Sequence, residues 1–415
     1  MTLSEELRWR GFINQTTIEN LSTLDENKLR FYHGYDASSD SLTIGNLAAV
    51  MMDKVFVRHG WQPVILAGGA TSLVGDPGGK DSERPLQSVE QIEANVAAVS
   101  AQIRTLFGSE TTFANNLDWF KDMSVLEFLR DTGKHFSMTP LVQRDYIAKR
   151  IGEGGRGISY TEFSYTLLQG YDYLHLYREY GVKLQVAGSD QWGNSISGVD
   201  LVRRVEGEEV NVLTCPLIIN KTTGKKFGKS EDGAVWLNPT KTSVYSFYQF
   251  WLNVDDEGVE DYLKVFTELD KSAIDGVMRE FQANKSGRAA QKTLAREVTK
   301  LVHGQQATDS IQRVTDVLFK GENYDSLRSA DFVALKQELP LVNAEVGQPI
   351  LKSFVEAGFI TSNSEARRFL EQGGLYINGK TLESDRNWEV GDALDGGHVI
   401  VRRGKNNNAV IQLST

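Results

Sequence analysis

The first half of the chain alternates short apolar runs with longer segments of helical periodicity. The runs PVILAGG, KLQVAG and NVLTCPLII have the length and composition of buried strands, and helical patterns separate them. Strands that alternate with helices in this way form parallel sheets built from βα units. The order therefore predicts an α/β domain with a parallel sheet over residues 1–220.

The second half follows two further patterns. After a polar loop and linker at 221–245, residues 246–325 are helical, with RAAQKTLAREVTKLVHG as the clearest helix and Gly304 as its predicted stop. Residues 346–415 form a separate pattern of two short helices followed by the strands GGLYINGK and HVIVRRGKNNNAVIQL. This order predicts an α-helical domain and then a small α+β domain.

Composition excludes several classes of protein. The N-terminus has no apolar run of signal length, and no window approaches 18 uninterrupted apolar residues, which predicts a cytoplasmic chain without membrane segments. The single cysteine, Cys215, cannot form an internal disulfide and is typical of a small core residue. No cysteine and histidine spacing typical of a zinc site occurs, and we predict no bound metal among the protein side chains.

The net charge of −10 argues against a general nucleic-acid coat but leaves room for a local basic face. Four cations recur every four residues on the predicted helix near residue 290: Arg288, Lys292, Arg296 and Lys300. Taken alone, such a stripe is more often a solvated surface than a binding site.

A glycine-rich segment, AGGATSLVGDPGGKDSERP, follows the predicted strand that begins PVIL. Its backbone can approach a ligand closely, and Lys80 and Arg84 add positive charge, which indicates a phosphate site. The segment matches neither G-x-G-x-x-G nor a Walker A loop, so a plain glycine-rich turn remains equally compatible. Asp76, inside the loop, could bind an ammonium group or cap the turn.

A second polar loop, KTTGKKFGKSEDG, carries Lys225, Lys226 and Lys229 around Gly228. Lysines on a mobile glycine-containing loop can reach a polyphosphate at low desolvation cost. The bare motif is nevertheless more typical of a solvated hairpin tip.

The segment SYTEFSYTLLQGYD places Tyr165, Gln169 and Asp172 at positions i, i+4 and i+7 of a predicted helix. Three hydrogen-bonding groups on one helix face are typical of a pocket for a small polar aromatic ligand, although a structural polar network is the alternative. The next strand ends at GSDQWGN, where Asp190 is well placed for ribose hydroxyls.

These segments together resemble one family, the bacterial tyrosyl-tRNA synthetases, which are class I aminoacyl-tRNA synthetases. TIGNL stands in place of the class signature HIGH, and KFGKS stands in place of KMSKS. GGATSLVGDP, SYTEFSYTLLQGYD and GSDQWGN complete the match in family order, and the resemblance extends from GFINQTT to the C-terminus. It implies a Rossmann-like catalytic domain that activates tyrosine with ATP, with Mg²⁺ accompanying the ATP, and then charges the 3′ end of tRNA(Tyr).

The resemblance also implies residue roles. Tyr32 and Asp172 match the pair that binds the phenol, and the known selectivity of tyrosyl-tRNA synthetases against phenylalanine is about 10⁵. The positions that match tyrosine-binding residues are Tyr32, Asp76, Tyr165, Gln169, Asp172 and Gln191. Those that match the ATP site are His33, Asp36, Gly45, Gly188, Asp190 and Lys229. Those expected to stabilise the departing pyrophosphate are Ser38, Thr43, Asn46, Lys80, Arg84, Lys226, Lys229 and Ser230.

For the remaining domains, the resemblance implies contacts with tRNA and a homodimer whose interface lies in the catalytic domain. The expected tRNA contacts are the four cations Arg288, Lys292, Arg296 and Lys300 and, in the last domain, Arg367, Arg368, Lys380, Arg402, Arg403 and Lys405. Ordinary surface charge is the alternative for each of them.

The chain departs from the family at the TIGNL helix. Thr43 and Asn46 occupy the places of two histidines, and His33 stands where a cysteine is common. Gly45, which lets adenine approach the backbone, is retained. Two other functions stay open at this point: an RNA-binding paralogue without catalysis, and activation of another aromatic amino acid.

Overall fold

The computed structural model describes residues 1–76, 87–108, 111–155, 157–224, 227–230, 233–321, 323–404 and 407–414. The chain divides into two compact units. The first unit contains Met1–Asn238 and Val254–Leu294, and the second contains Pro239–Asn253 and Ala295–Thr415. Among the described residues, no helix is both long and apolar enough to span a bilayer.

The sheet of the first unit confirms the predicted α/β fold. The strands are β1 Gln15–Thr16, β2 Arg30–Tyr35, β3 Gln62–Ala67, β4 Thr112–Asn115, β5 Val182–Gly188, β6 Asn211–Cys215, β7 Lys229–Ser230 and β8 Gly233–Ala234. The first six form one sheet in the order β1-β6-β5-β2-β3-β4, in which only β1 is antiparallel to its neighbour. β7 and β8 pair antiparallel as a separate hairpin.

Helices cover this sheet. They are α1 Leu3–Arg10, α2 Thr23–Glu26, α3 Ile44–Arg58, α4 Gly69–Val74, α5 Val89–Phe107, α6 Leu117–Phe120, α7 Val125–Glu127, α8 Met138–Val142, α9 Asp145–Ile151, α10 Tyr160–Tyr180 and α11 Trp192–Glu206. A short π-helical turn, Phe128–Thr132, follows α7. Tyr32 of β2 packs edge to face against Tyr173 of α10, with ring centroids 5.0 Å apart, so α10 lies on the Tyr32 face of the sheet.

The sequence sets both ends of α10. Ser159 caps the N-terminus by accepting a hydrogen bond from the Glu162 backbone N–H at 3.1 Å, and the Glu162 carboxylate accepts from the Ser159 N–H at 3.3 Å. Gly181 ends the helix in the left-handed conformation, with φ of 66°. Twenty-one residues are thereby held as one rigid wall beside the sheet.

The helical stretch after the hairpin is α12 Val244–Leu252, α13 Val259–Phe266, α14 Lys271–Ala283, α15 Ala289–His303, α16 Gln305–Lys320 and α17 Ser329–Glu338. Gly304 follows the last residue of α15, as predicted. Arg288 precedes α15 in a left-handed conformation, with φ of 53°, and is therefore not part of the helix that the sequence pattern assigned to it.

The C-terminal part is α+β. Its elements are β9 Leu341–Glu345, α18 Ile350–Glu356, α19 Asn363–Glu371, β10 Leu375–Ile377, β11 Lys380–Thr381, β12 His398–Arg403 and β13 Asn407–Ser414. The five strands form a sheet in the order β11-β10-β12-β13-β9. The sheet includes β9, which precedes residue 346 and pairs parallel with β13.

Candidate active site

A cavity of about 500 Å³ opens in the first unit at the carboxyl ends of the parallel strands. Ligands of α/β sheets bind at this edge, because the loops that follow the strands converge there. The predicted residues that line the cavity are Tyr32, His33, Asp36, Ser38, Thr43, Gly45, Asn46, Asp76, Tyr165, Gln169, Asp172, Gly188, Asp190 and Gln191. Segments that lie up to about 160 residues apart in sequence thus meet around one space.

The remaining predicted residues of this site are placed differently. Lys80, Arg84 and Lys226 lie outside the described residues. Lys229 and Ser230 form β7. Cys215 is buried as predicted, and burial raises the pKa of its thiol to about 12, but it also lines the cavity.

One end of the cavity carries a phenol and a carboxylate, both buried. Asp172 is 2% exposed, and this burial raises the pKa of its carboxyl to about 7. The Tyr32 hydroxyl is buried and has no hydrogen-bond partner among the described residues. A buried polar group without a partner is costly, so this end of the cavity favours a ligand that can both donate and accept a hydrogen bond.

Two side chains that the sequence did not identify hold Asp172. Asn116 Nδ2 donates to one carboxylate oxygen at 3.1 Å, and Trp119 Nε1 donates to the other at 3.0 Å. Both hydrogen bonds favour the ionised form and oppose the effect of burial on the pKa of Asp172. The available signal was their position directly after β4, the same strand-end position that indicated Asp190.

The cavity is acidic elsewhere. The Tyr165 hydroxyl donates to Asp36 Oδ2 at 2.8 Å, and Thr71 Oγ1 donates to the other oxygen at 2.8 Å. Gln191 Nε2 donates to Asp76 Oδ2 at 2.7 Å. Carboxylates gathered in a cavity attract a cation, and an ammonium group of a small ligand meets that requirement.

The N-terminus of α3, called the helix mouth here (Thr43–Asn46), also lines the cavity. Thr43 precedes the first residue of α3, and its Oγ1 donates to Asn46 Oδ1 at 2.9 Å. The Thr43 backbone N–H donates to the same oxygen at 3.0 Å. These bonds fix the orientation of the Asn46 amide, so that its NH₂ group is directed away from Thr43 and can donate to a ligand.

The two motif segments TIGNL and KFGKS are joined at this mouth. The Ile44 N–H donates to the Val235 carbonyl at 3.0 Å, and the Val235 N–H donates to the Gly228 carbonyl at 3.1 Å. Gly228 has φ of 93°, and a Cβ atom built on it would lie 3.3 Å from the Gly45 nitrogen. The positive φ therefore favours glycine at residue 228, and a Cβ atom there would also press on the backbone of Gly45.

The predicted RNA contacts lie outside this cavity. Lys292, Arg296 and Lys300 are exposed on α15, and Arg296 pairs with the adjacent Glu297 at 2.9 Å. Arg288 is half-buried, and its guanidinium donates a long hydrogen bond of 3.4 Å to the Val254 carbonyl.

In the C-terminal part, Arg367, Arg368 and Lys380 are exposed, and Lys405 lies outside the described residues. Arg402 stacks over the Tyr376 ring at 3.8 Å, and Arg403 lies over the Phe369 ring at 5.1 Å. Both guanidinium groups are half-buried against aromatic rings, so part of their role is in packing.

The described residues contain no group of three or more histidine, cysteine, aspartate or glutamate side chains positioned to hold a metal ion. The acidic residues of the cavity instead bond to neutral donors such as Tyr165 and Gln191.

Comparison with known proteins identifies the family. The family model for tRNA synthetases class I (W and Y) matches residues 24–320, and that for the Tyrosine--tRNA ligase SYY-like C-terminal domain matches residues 331–411. The chain is 42% identical over 423 residues to Tyrosine--tRNA ligase 2 of Bacillus thuringiensis subsp. konkukian, with all of both chains covered. It is 42% identical over 420 residues to Tyrosine--tRNA ligase of Geobacillus stearothermophilus, with 98% of each covered.

Solved structures agree. The C-terminally truncated mitochondrial tyrosyl-tRNA synthetase of Aspergillus nidulans is similar with a TM-score of 0.69 and 30% identity, covering 77% of this chain and 94% of that one. Two family models in order along one chain, together with relatives matched over their full length, place the chain in the bacterial tyrosyl-tRNA synthetases, class I enzymes that join tyrosine to tRNA.

Proposed function

We propose that the cavity binds tyrosine and ATP together and forms tyrosyl-adenylate there. The observation that carries this proposal is the arrangement of one buried phenol and carboxylate end, one acidic wall and one glycine-containing helix mouth around a single space. Tyr32 and Asp172 would bind the substrate hydroxyl. Asp76, Tyr165 and Gln169 would bind the α-amino group, and Gln191 would lie near the carboxylate.

ATP would lie against the helix mouth. Its ribose would contact Asp190 and the Gly188 backbone, and adenine would approach the backbone at Gly45. ATP would also contact His33, Asp36 and Lys229. Adenosine and tyrosine would then lie on opposite sides of the reacting α-phosphate.

The activation step needs no general base, because the tyrosine carboxylate is already a nucleophile. One carboxylate oxygen attacks the α-phosphorus, the bond from phosphorus to the bridging oxygen breaks, and pyrophosphate leaves with the electron pair. The rate then depends on alignment and on donors that stabilise the departing charge. We assign this task to Ser38, Thr43, Asn46, Lys80, Arg84, Lys226, Lys229 and Ser230.

In the second step, a hydroxyl of the terminal adenosine of tRNA attacks the carbonyl carbon of the adenylate and releases its proton. The bond from that carbon to the phosphate oxygen breaks, and AMP leaves with the electron pair. We propose that Mg²⁺ enters bound to the phosphates of ATP. Mg²⁺ in such sites is held by substrate phosphates, one or two carboxylates and water. Carboxylates in the cavity wall are donors of the kind that Mg²⁺ prefers. Bound Mg²⁺ would neutralise part of the phosphate charge.

Pyrophosphate exchange into ATP tests this proposal without tRNA. We expect exchange that depends on tyrosine and is absent with phenylalanine or tryptophan, since a missing phenol leaves the Tyr32 hydroxyl unpaired and puts an apolar ring against Asp172. No exchange with any aromatic amino acid would indicate an RNA-binding protein without catalysis. Equal exchange with phenylalanine would contradict the assignment of the phenol site.

We also propose a cytoplasmic homodimer, with the interface in the first unit and each tRNA crossing both subunits. Several apolar side chains between residues 125 and 160 support it because they are exposed: Val125 by 72%, Leu126 by 80%, Met138 by 58% and Tyr160 by 70%. Apolar side chains concentrated on one surface segment are typical of association surfaces.

For tRNA, we propose contacts from Arg288, Lys292, Arg296 and Lys300 in the helical domain at 246–325. Arg367, Arg368, Lys380, Arg402, Arg403 and Lys405 would add contacts from the small domain at 346–415. The catalytic domain would be 1–220, and 221–245 would be the lysine loop and linker. The exposed cations on α15 and α19 support this assignment.

Charge reversal on α15 tests the tRNA contacts. For the double variant Lys292→Glu, Lys300→Glu we expect unchanged pyrophosphate exchange, a raised KM for tRNA, and a salt dependence of tRNA binding reduced by about one unit of slope per lysine. The control is Lys28→Glu, since Lys28 is exposed in the first unit and belongs to neither set of cations. A KM for tRNA equal to that of the control variant would assign the two lysines to ordinary surface charge.

A further inference from the structure

A buried cluster of three polar side chains lies between β2 and α3. His33 Nδ1 lies 2.9 Å and 3.0 Å from the two carboxylate oxygens of Asp53. The Tyr35 hydroxyl donates to Asp53 Oδ2 at 3.0 Å. The His33 and Tyr35 rings stack with centroids 4.3 Å apart and an interplanar angle of 20°. Asp53 is completely buried, and burial raises the pKa of its carboxyl.

The cluster belongs to the nucleotide side of the cavity. Adjacent residues of a strand face opposite sides of the sheet, and Tyr32 packs on Tyr173 of α10. His33 therefore faces the side that carries α3, where it meets Asp53 of that helix. The N-terminus of α3 is the helix mouth assigned to ATP. His33 and Tyr35 line the cavity, whereas Asp53 lies behind them.

The hydrogen bonds fix which atom of His33 is available. An ionised carboxylate only accepts, so Nδ1, which faces both oxygens of Asp53, is the nitrogen that carries the proton. In the neutral ring the other nitrogen, Nε2, is then an acceptor. Within the part of the chain that the structure describes, no residue bonds to Nε2, and the ring lies in the cavity wall.

Resting on the proposed function, we propose that Asp53 and Tyr35 are positioning residues that hold His33 so that Nε2 accepts a hydrogen bond from ATP. The partner must be a donor, which in ATP means a ribose hydroxyl or the adenine amino group. Asp53 sets the tautomer, and the stacked Tyr35 sets the ring plane and supplies the second hydrogen bond to Asp53.

Kinetics of tyrosine-dependent pyrophosphate exchange test this inference. Asp53→Asn can present its amide NH₂ to Nδ1 and reverse the tautomer of His33, which would make Nε2 a donor. We expect the KM for ATP to rise about 3- to 10-fold, the effect of one neutral hydrogen bond, with the KM for tyrosine unchanged. Tyr35→Phe, which removes one hydroxyl and keeps the ring, should show a smaller rise in the same constant.

The control for Tyr35→Phe is Tyr262→Phe. Tyr262 is buried in the same unit, and its hydroxyl donates to Asp255 at 3.2 Å. Loss of this hydroxyl should leave the KM for ATP as in the wild type. A rise of equal size in the two Phe variants would assign the effect to general destabilisation and overturn the inference.

Nucleotide analogues identify the partner of Nε2. Exchange is measured in wild type and His33→Ala with ATP, 2′-deoxyATP, 3′-deoxyATP and purine riboside triphosphate. His33→Ala should raise the KM for ATP, and this rise should disappear with the one analogue that lacks the hydrogen-bond donor to Nε2. The comparison is a double-mutant cycle between the protein and the nucleotide. A penalty that is the same with all four nucleotides would refute the contact. Absence of exchange in the wild type would instead refute the proposed function itself.

Discussion

Replacing Asp172 by asparagine is expected to lower kcat/KM for tyrosine about 100- to 1,000-fold in pyrophosphate exchange. The variant loses a charged acceptor for the substrate hydroxyl, which costs about 1.5–3 kcal/mol. It also turns one oxygen into an NH₂ group that must face Asn116 Nδ2 or Trp119 Nε1, both of which already donate to Asp172. The KM for ATP should change little, because the hydrogen-bond partners of Asp172 are Asn116 and Trp119 and not residues of the helix mouth.

The same residue should make tyrosine binding depend on pH. The pKa of Asp172 is raised to about 7 by burial, so the carboxylate that we propose accepts from the phenol becomes protonated as the pH falls through about 7. The KM for tyrosine in the wild type should therefore rise as the pH is lowered. In Asp172→Asn the KM for tyrosine should not rise in this way as the pH is lowered.

Trp119→Phe is the matched variant for the pH profile. It removes one of the two donors that stabilise the ionised form, so the pKa of Asp172 should move up and the rise in KM should begin at a higher pH. An unchanged profile in both variants would show that Asp172 does not bind the phenol. Thermal denaturation of each variant separates this outcome from loss of the fold.

Thr43→His is expected to raise the single-turnover rate of tyrosine activation, by up to about 100-fold, with little change in tyrosine affinity. Histidine is common at this position in the family, whereas threonine is shorter and never cationic. One donor to developing negative charge contributes about 3 kcal/mol of transition-state stabilisation, which is roughly a hundredfold in rate. The Thr43 hydroxyl donates its proton to Asn46 Oδ1 in the free protein, and is therefore already engaged.

The control is Thr43→Val, which removes the hydroxyl and adds no donor. Asn46 would still be oriented by the backbone N–H of residue 43, which donates to Oδ1 at 3.0 Å. We expect Thr43→Val to activate tyrosine no faster than the wild type. If Thr43→His is equally slow, the missing histidine does not limit the reaction.

Most of the cavity could be predicted because its parts are local in sequence. The i, i+4, i+7 spacing of Tyr165, Gln169 and Asp172 alone places them on one face of α10, and Gly188 and Asp190 follow a strand that the apolar pattern indicated. The residues that meet at the cavity follow the carboxyl ends of strands. The end of each strand can be recognised in the sequence because the apolar run stops there.

The contacts that could not be predicted depend on order in the sheet and on long separations. Asn116 and Trp119 reach Asp172 only because β4 pairs with β3, and strand order has no signature in the apolar pattern. His33 and Asp53 lie 20 residues apart, and their pairing depends on the rotation of α3 over β2.

The sequence prediction also failed at Arg288 and at β9. The spacing of Arg288 fits the stripe, yet its left-handed backbone lies before the helix begins. β9 alternates exposed and buried residues as a strand should, but it is separated from its partner β13 by more than 60 residues.

The backbone hydrogen bonds that join the TIGNL and KFGKS segments affect the entropy that catalysis must lose. The Val235 N–H donates a hydrogen bond to the Gly228 carbonyl, and the Val235 carbonyl accepts one from Ile44, the first residue of α3. The backbone that carries Lys229 is therefore held at Gly228 and at Val235, beside the proposed ATP site, before any ligand arrives. Closing a short loop with fixed ends loses less conformational freedom than ordering a free one. Much of the backbone ordering that the proposed contact of Lys229 with the phosphates requires has thus already occurred when the protein folds.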